Sequence, residues 1–179
     1  DGEPWADGAP HPVGQGGFYN GDGITSMHHN SAGTRISPTE IWESRNPWLI
    51  KKIEFAKDSC GAGEFRGGLG LNLEFEMLED TFITTVVERT KFPPWGIKEG
   101  CAARANNVEV NQKKGKKFNM PKKSGFKLSK GDKITFMTGG GGGYGNPKNR
   151  RISSIKNDLK QGYISVEHVK EHYRFYKFD

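Results

Sequence analysis

No apolar run in this sequence reaches the roughly 18 residues a membrane helix needs, so it offers no candidate for a helical span. No signal-peptide pattern opens the chain, and the expectation is a cytoplasmic protein. Cysteine is scarce: Cys60 and Cys101 are the two present, without CxxC spacing. That excludes a disulfide-dense scaffold and a cysteine zinc ribbon; two reduced thiols are the reading, with a single disulfide as the alternative. No internal repeat is found. No serine sits in a nucleophile elbow and neither cysteine has a basic neighbour, so no local pattern for nucleophilic catalysis is present.

What is abundant is glycine, with 25 residues in a chain of 179, about twice the usual share. Turns should be numerous and helices few. The length suits one domain with a real core. The formal net charge is +6, and Lys113, Lys114, Lys116, Lys117, Lys122, Lys123, Lys127 and Lys130 alone exceed it. So local an excess is met by a lysine-rich solvated hairpin as well as by a nucleic-acid surface.

Residues 1–37 are rich in Gly, Pro, Asp, Asn and His and carry almost no apolar period. They are expected to be an extended segment packing on something else, a partner chain among the options. Residues 38–150 read as a β-rich domain: a strand-like stretch from Pro38 to Phe55, a strand over 71–77, and a β-branched run over 81–88 ended by Pro93 and Pro94. Residues 106–112 pair with 116–118 across Gly115, and short strands over 126–128 and 133–137 flank Lys130-Gly131. Residues 151–179 are a helical tail, with helices over 152–161 and 166–173, Ser165 as an N-cap and Gly162 just past the first helix. The fold expected is mainly β (α+β): many short strands with glycine-rich turns, then a short C-terminal helical tail.

Three motifs have chemical readings. Gly140-x-Gly142-x-x-Gly145 matches GxGxxG after a strand, but Asn146-Pro147 stands where a helix should open and no acidic residue follows at the right distance. A loop without Cβ atoms still admits a ligand or another backbone, so ligand contact and a tight turn under Tyr144 remain alternatives. His168-x-x-Glu171-His172 fits the inverted zinc-protease pattern but lacks a third ligand, and a solvated helix face is preferred. His28-His29, near Asp22, and His11 are loop histidines, for which solvent contact is the ordinary outcome. Glu40 and Glu43 could pair for acid/base work on a helical turn; a strand with one buried and one exposed acid is preferred.

Five segments, in order, resemble the C-terminal third of the hydantoinase B/oxoprolinase family. Pro38-Thr-Glu-Ile-Trp-Glu43 looks like its Pro-x-Glu-x-x-Glu segment, in a form nearest the acetone carboxylase large subunits. Asp58-Ser-Cys-Gly-Ala-Gly-Glu-Phe-Arg66-Gly-Gly-Leu-Gly70 is the most specific match, with Cys60 in place of a usual glycine. Glu88-Arg-Thr-Lys-Phe92-Pro-Pro-Trp-Gly96, Thr138-Gly-Gly-Gly-Gly-Gly143-Tyr-Gly-Asn-Pro147 and Asp158-Leu-Lys-Gln-Gly162-Tyr-Ile-Ser165 are similar to the remaining three.

The resemblance implies a multi-subunit enzyme. A hydantoinase A-type partner subunit would use ATP and Mg to phosphorylate a carbonyl or amide of a small-molecule substrate. The B-type subunit would then carry out carboxylation or amide hydrolysis, with a divalent metal in its N-terminal part and none in this chain. The chain alone is expected to be inactive, with no nucleic-acid or membrane partner, and the Ile41-Trp42-Glu43 form favours a ketone carboxylase over a cyclic-amide hydrolase. Arg66 is the expected phosphate or carboxylate ligand, because a guanidinium fork fits planar oxyanions. Gly67, Gly68, Gly140, Gly141 and Gly142 would add backbone donors. Glu43 and Asp58 are the weak catalytic candidates; with Arg89, bracing the turns is their other reading. The rivals are a structural module sealing a subunit interface and a nucleic-acid-binding β-domain.

Overall fold

The structure is a computed structural model that describes residues 5–8, 11–27 and 36–178. Among these, α1 (Thr39–Arg45) is followed by β1 (Trp48–Phe55), β2 (Leu71–Met77), β3 (Thr81–Val86), β4 (Asn107–Asn111), β5 (Lys117–Asn119), β6 (Lys122–Leu128) and β7 (Lys133–Met137). Two helices, α2 (Ile152–Lys160) and α3 (Val166–His172), close the chain. The strands form a five-stranded antiparallel sheet, ordered β1-β2-β7-β4-β5, and a separate β3-β6 ribbon. The mainly β architecture with a helical tail is as the sequence indicates.

β2 shows why the sheet forms. Leu71, Leu73, Phe75 and Met77 are buried while Asn72, Glu74 and Glu76 are half-buried, a period of two that puts one face in the core. Phe75 lies opposite Ile50 on β1 and Ile134 on β7, and Ile134 lies opposite Val110 on β4. These side chains, with Trp42, Leu128 and Ile83 of the ribbon, make the larger core. The lysine cluster lies on β5, β6 and their loops, where Lys117, Lys122 and Lys127 meet Glu109, Glu88 and Asp80 at 2.9, 2.6 and 2.9 Å.

Residues 38–46 depart from the expected strand. Pro38 is the N-cap of α1, where its missing N–H costs nothing, and its carbonyl accepts from the Ile41 and Trp42 amides. Trp42 turns into the core while Ile41 stays exposed. Across six residues, one helical turn and a short strand share the same apolar pattern, which is why the period misleads here. Glu40 is exposed and Glu43 half-buried on this helix.

The larger departure concerns the glycines. Among those described, only Gly115, Gly125, Gly131, Gly145 and Gly162 have positive φ. Most of the others are present for space, not for turning. Residues 14–17, 59–70, 94–97, 100–104 and 139–144 lie side by side outside either sheet, tied by their backbones, with a turn at Lys98-Glu99. Gly14 and Gly17 donate to Gly139 and Gly142 carbonyls (3.1 and 2.8 Å), Gly61 to Gly141 (2.8 Å), Gly141 to Gly68 (3.0 Å) and Ile97 to Gly143 (2.9 Å). The contacts repeat every three residues. A Cβ on Gly139 or Gly142 would meet the Arg104 or Trp95 carbonyl oxygen at 2.2 and 1.9 Å; on Gly140 or Gly143, Ser59 or Ala62 at 2.3 and 2.0 Å; on Gly141, Gln15 at 1.9 Å. Three faces in rotation is the geometry of a polyproline-II-like strand. The result is a bundle packed backbone on backbone.

Residues 11–27, expected to lie on something else, lie on this bundle: Val13 bridges Met27 and the Gly68 amide donates to Gln15. The helical tail covers the bundle's other side, where Ile155, Ile164, Val169 and Tyr173 pack on Cys60, Ala62 and Leu69. Ser165 caps α3 by accepting from the His168 amide at 3.0 Å, and Gly162, at φ +71°, follows α2.

Candidate functional site

Arg66, the expected anion ligand, is 7% exposed and already engaged. Its Nε donates to Asp158 on α2 at 3.0 Å, its Nη1 donates to the Gly67 carbonyl at 2.9 Å, and its guanidinium lies over the Tyr163 ring at 5.3 Å. Arg150 completes the arrangement, donating to both Asp22 oxygens at 2.8 Å and to Asp158 at 2.6 Å. Two cations and two anions so balance one another between the tail and the bundle. Burial alone would raise the Asp22 carboxyl, but hydrogen bonds and charge from Arg150, with the Arg66 charge, hold it below its ordinary value. Burial likewise opposes the Arg150 charge, yet Asp22 holds its pKa above the usual value. Asp22, Arg150 and Asp158 were not among the expected site residues. Asp22 and Arg150 are 128 residues apart, and nothing local in the sequence joins them.

The glycine amides are mostly spoken for. Gly67 donates to Gly61, Gly68 to Gln15, Gly140 to Ser59 and Gly141 to Gly68. Asp58 sits in the left-handed region at φ +60°, and its carboxylate accepts the Ser165 amide at 2.6 Å, fastening α3 to the bundle. Glu43 accepts the Ile50 amide at 2.7 Å and ties α1 to β1. The described residues therefore bury Arg66, Gly67 and Gly68 together, place half-buried Asp58 at the junction with α3, leave Glu43 between α1 and β1, and put Gly140 to Gly142 along the groove of the bundle.

Three cavities of the described residues bear on the candidate residues, two beside the bundle and one between the sheet and the ribbon. One, of about 400 Å³, is lined by Asp58, Cys60, Arg104, Glu167, His168 and His172, among others. His168 is 8% exposed, its Nε2 has no partner, and its ring lies 4.6 Å from that of His172. The preferred solvated face is thus corrected for His168, since that side of α3 packs inward beside Tyr173. Burial, helped by His172, lowers its pKa to about 4, and it is neutral at pH 7. Burial pushes the Cys60 thiol up to about 11. No group of three or more His, Cys, Asp or Glu able to hold a metal occurs among the described residues. A second cavity, about 350 Å³ between the sheet and the ribbon, is aromatic; there His11 stacks on Phe136 at 4.0 Å, and burial lowers its pKa to about 4. His28 and His29 lie outside the described residues.

The third is a groove of about 350 Å³ along the open side of the bundle, floored by residues 139–142 and walled by Val13, Arg89, Trp95, Ile97 and Asn106. The Arg89 guanidinium lies 5.1 Å over the Trp95 ring.

A glycine bundle clamped between a β-sheet core and a helical tail defines a class of scaffold in which backbone packing leaves little freedom to the sequence. The chain belongs to the hydantoinase B/oxoprolinase family, whose model matches residues 1–147. An uncharacterised protein of Methanocaldococcus jannaschii is 38% identical over 141 residues, which are 79% of this chain and 24% of that protein. Caprolactamase subunit beta of Pseudomonas jessenii is 32% identical over 146 residues, covering 75% of this chain and 24% of the relative. The chain thus spans about a quarter of the length of these two relatives. The crystal structure of the ATP-dependent caprolactamase from Pseudomonas jessenii matches 90% of this chain and 29% of its own with a TM-score of 0.77 at 22% identity. Nucleotide-free acetone carboxylase matches 90% of this chain and 26% of its own with a TM-score of 0.75 at 17% identity. At these identities the two structures establish a shared fold.

Proposed function

We propose that this chain is part of the B-type component of an ATP-dependent enzyme that opens cyclic amides. The supporting observation is its 32% identity, across three quarters of its length, with the beta subunit of a caprolactamase. An A-type partner subunit would bind ATP and Mg and phosphorylate the amide oxygen; the B-type component would deliver water to the activated carbon, with a divalent metal held by its N-terminal part. The role assigned to this chain is a rigid wall of that component, inactive alone, because its expected anion ligand is closed into a buried ionic framework.

A ketone carboxylase is the second reading, favoured by the Ile41-Trp42-Glu43 form and the likeness to acetone carboxylase. Trp42 packs in the core, however, and Glu43 holds the Ile50 amide, so this tripeptide reports on packing rather than on chemistry. The test is an assay of the intact assembly, purified with its ATP-using subunit. Offered a cyclic amide, it should form ring-opened product, ADP and inorganic phosphate together. Incorporation of bicarbonate into a ketone instead would establish the second reading, and ATP-independent ring opening would overturn both.

A further inference from the structure

We propose that the groove over residues 139–142 is an oxyanion-binding site, in which the Gly142 amide and the Arg89 guanidinium receive a carboxylate or phosphate group. The inference stands on the groove itself and does not rest on the reaction proposed above.

The three-residue rotation of the bundle locates the key donor. Gly140 and Gly143 send their amides to Ser59 and Cys101, and Gly141 sends its amide to Gly68. The Gly139 amide is taken by Asn106 Oδ1 at 2.6 Å, in the wall of the groove. Gly142 follows Gly139 by one three-residue turn, and both line the groove. Gly142 is buried, and its amide has no acceptor among the described residues. A buried N–H without an acceptor is rare and costs about 1–3 kcal/mol. Of the glycine amides the sequence offers to an oxyanion, this one is left for a ligand.

The groove supplies donors and no competing acid. Arg89 is its one charged lining residue. No carboxylate pairs with Arg89 among the described residues: its neighbour Glu88 is drawn to Lys122 at 2.6 Å, and Glu99 accepts from Asn146. The guanidinium is held by its stack on Trp95, and its backbone by the Asn106 amide donating to the Arg89 carbonyl at 3.1 Å. Asn106 offers the ligand nothing further, because its Oδ1 serves Gly139 and its Nδ2 donates to the Glu88 carbonyl at 2.8 Å. No carboxylate lines the groove to hold a cation, and a purely apolar guest leaves the amide unpaired. An oxygen anion satisfies both donors, with the guanidinium supplying a charge-assisted bond. A Cβ at Gly142 would meet the Trp95 carbonyl oxygen at 1.9 Å, so glycine is needed there for the groove's floor and wall to pack.

The test is an amide-resolved NMR titration of the ¹⁵N-labelled 179-residue chain with inorganic phosphate and, separately, with acetate, against chloride at equal ionic strength and pH. The expected result is a saturable shift of the Gly142 amide. In Arg89→Asn, which keeps a residue that tolerates the left-handed φ of +53° at this position, the apparent affinity should fall about tenfold or more. Saturation by phosphate and not acetate assigns a phosphoryl group, and the reverse assigns a carboxylate. A Gly142 amide unmoved by either anion, or one titrating equally in Arg89→Asn, overturns the proposal.

Discussion

At the scale of single residues, the chain's strongest constraints are charges kept from water. Asp158 is 2% exposed and shared by Arg66 and Arg150. Removing one member of such a set leaves the others buried without compensation, which costs about 3–5 kcal/mol. Asp158→Asn should therefore lose that much in urea unfolding, while Lys117→Ala, at an exposed pair, should change stability by less than ~1 kcal/mol. His168 adds a pH dependence whose sign is fixed. Its folded pKa, about 4, lies below the ordinary 6.5, so the unfolded chain takes up the proton first as pH falls. Its contribution is whole above pH 6.5 and is lost between there and 4, in total roughly 3 kcal/mol. His168→Gln should flatten the stability profile across that window, measured as the change in urea midpoint between pH 7 and pH 5; an unchanged slope would count against a buried neutral imidazole.

At the scale of elements, the glycines separate two physical causes that composition cannot distinguish. Gly115 turns the β4–β5 hairpin at φ +87° with open space around it, whereas a Cβ on Gly141 would lie 1.9 Å from the Gln15 carbonyl oxygen. Alanine at position 115 meets only left-handed strain, about 1–2 kcal/mol. Alanine at 141 must push backbone from backbone inside a close-packed bundle, and should exceed the usual 1–3 kcal/mol of overpacking. Thermal melting should rank Gly141→Ala and Gly67→Ala well below Gly115→Ala. The strands were legible because burial of one face writes a period of two, as in residues 71–77, and the helical tail because Ser165 and Gly162 mark its caps. The bundle was not. Polyproline-II-like segments lying on other backbone have no apolar period to display, and glycine written for space looks the same as glycine written for a turn. Within the site, Arg66 and the glycine segments were visible as motifs, but their partners Asp22 and Arg150 arrive from 44 and 84 residues away on either side, through contacts no local pattern encodes.

At the scale of the whole molecule, the bundle joins two cores that would otherwise be separate. The larger holds Trp42, Phe75 and Ile134; the smaller holds Ile155, Val169 and Tyr173. They communicate through extended backbone from residues 59–70, which enters β2 at one end and is sealed by α2 at the other. Backbone hydrogen bonds, a few side-chain ones from Ser59, Thr25 and Thr138, and the ionic framework tie the space between, so loosening the tail removes the acceptor of Arg66 and one face of the bundle together. The residues 151–179, readable in sequence as an appended tail, should therefore behave as part of one cooperative unit. Tryptophan fluorescence, to which Trp42 and Trp48 of the larger core contribute, and the NMR resonances of Val169 and Tyr173 in the smaller core should show coincident urea transitions. Deleting residues 151–179 would expose Leu69, Ala62 and Cys60 and leave both Arg66 and Arg150 without Asp158. The shortened chain should lose its cooperative transition, while β2 and β7 retain their mutual pairing in the larger core. Were the truncated chain to unfold at the same midpoint, with the same steepness, the bundle would have to be self-sufficient and the tail a mere cover.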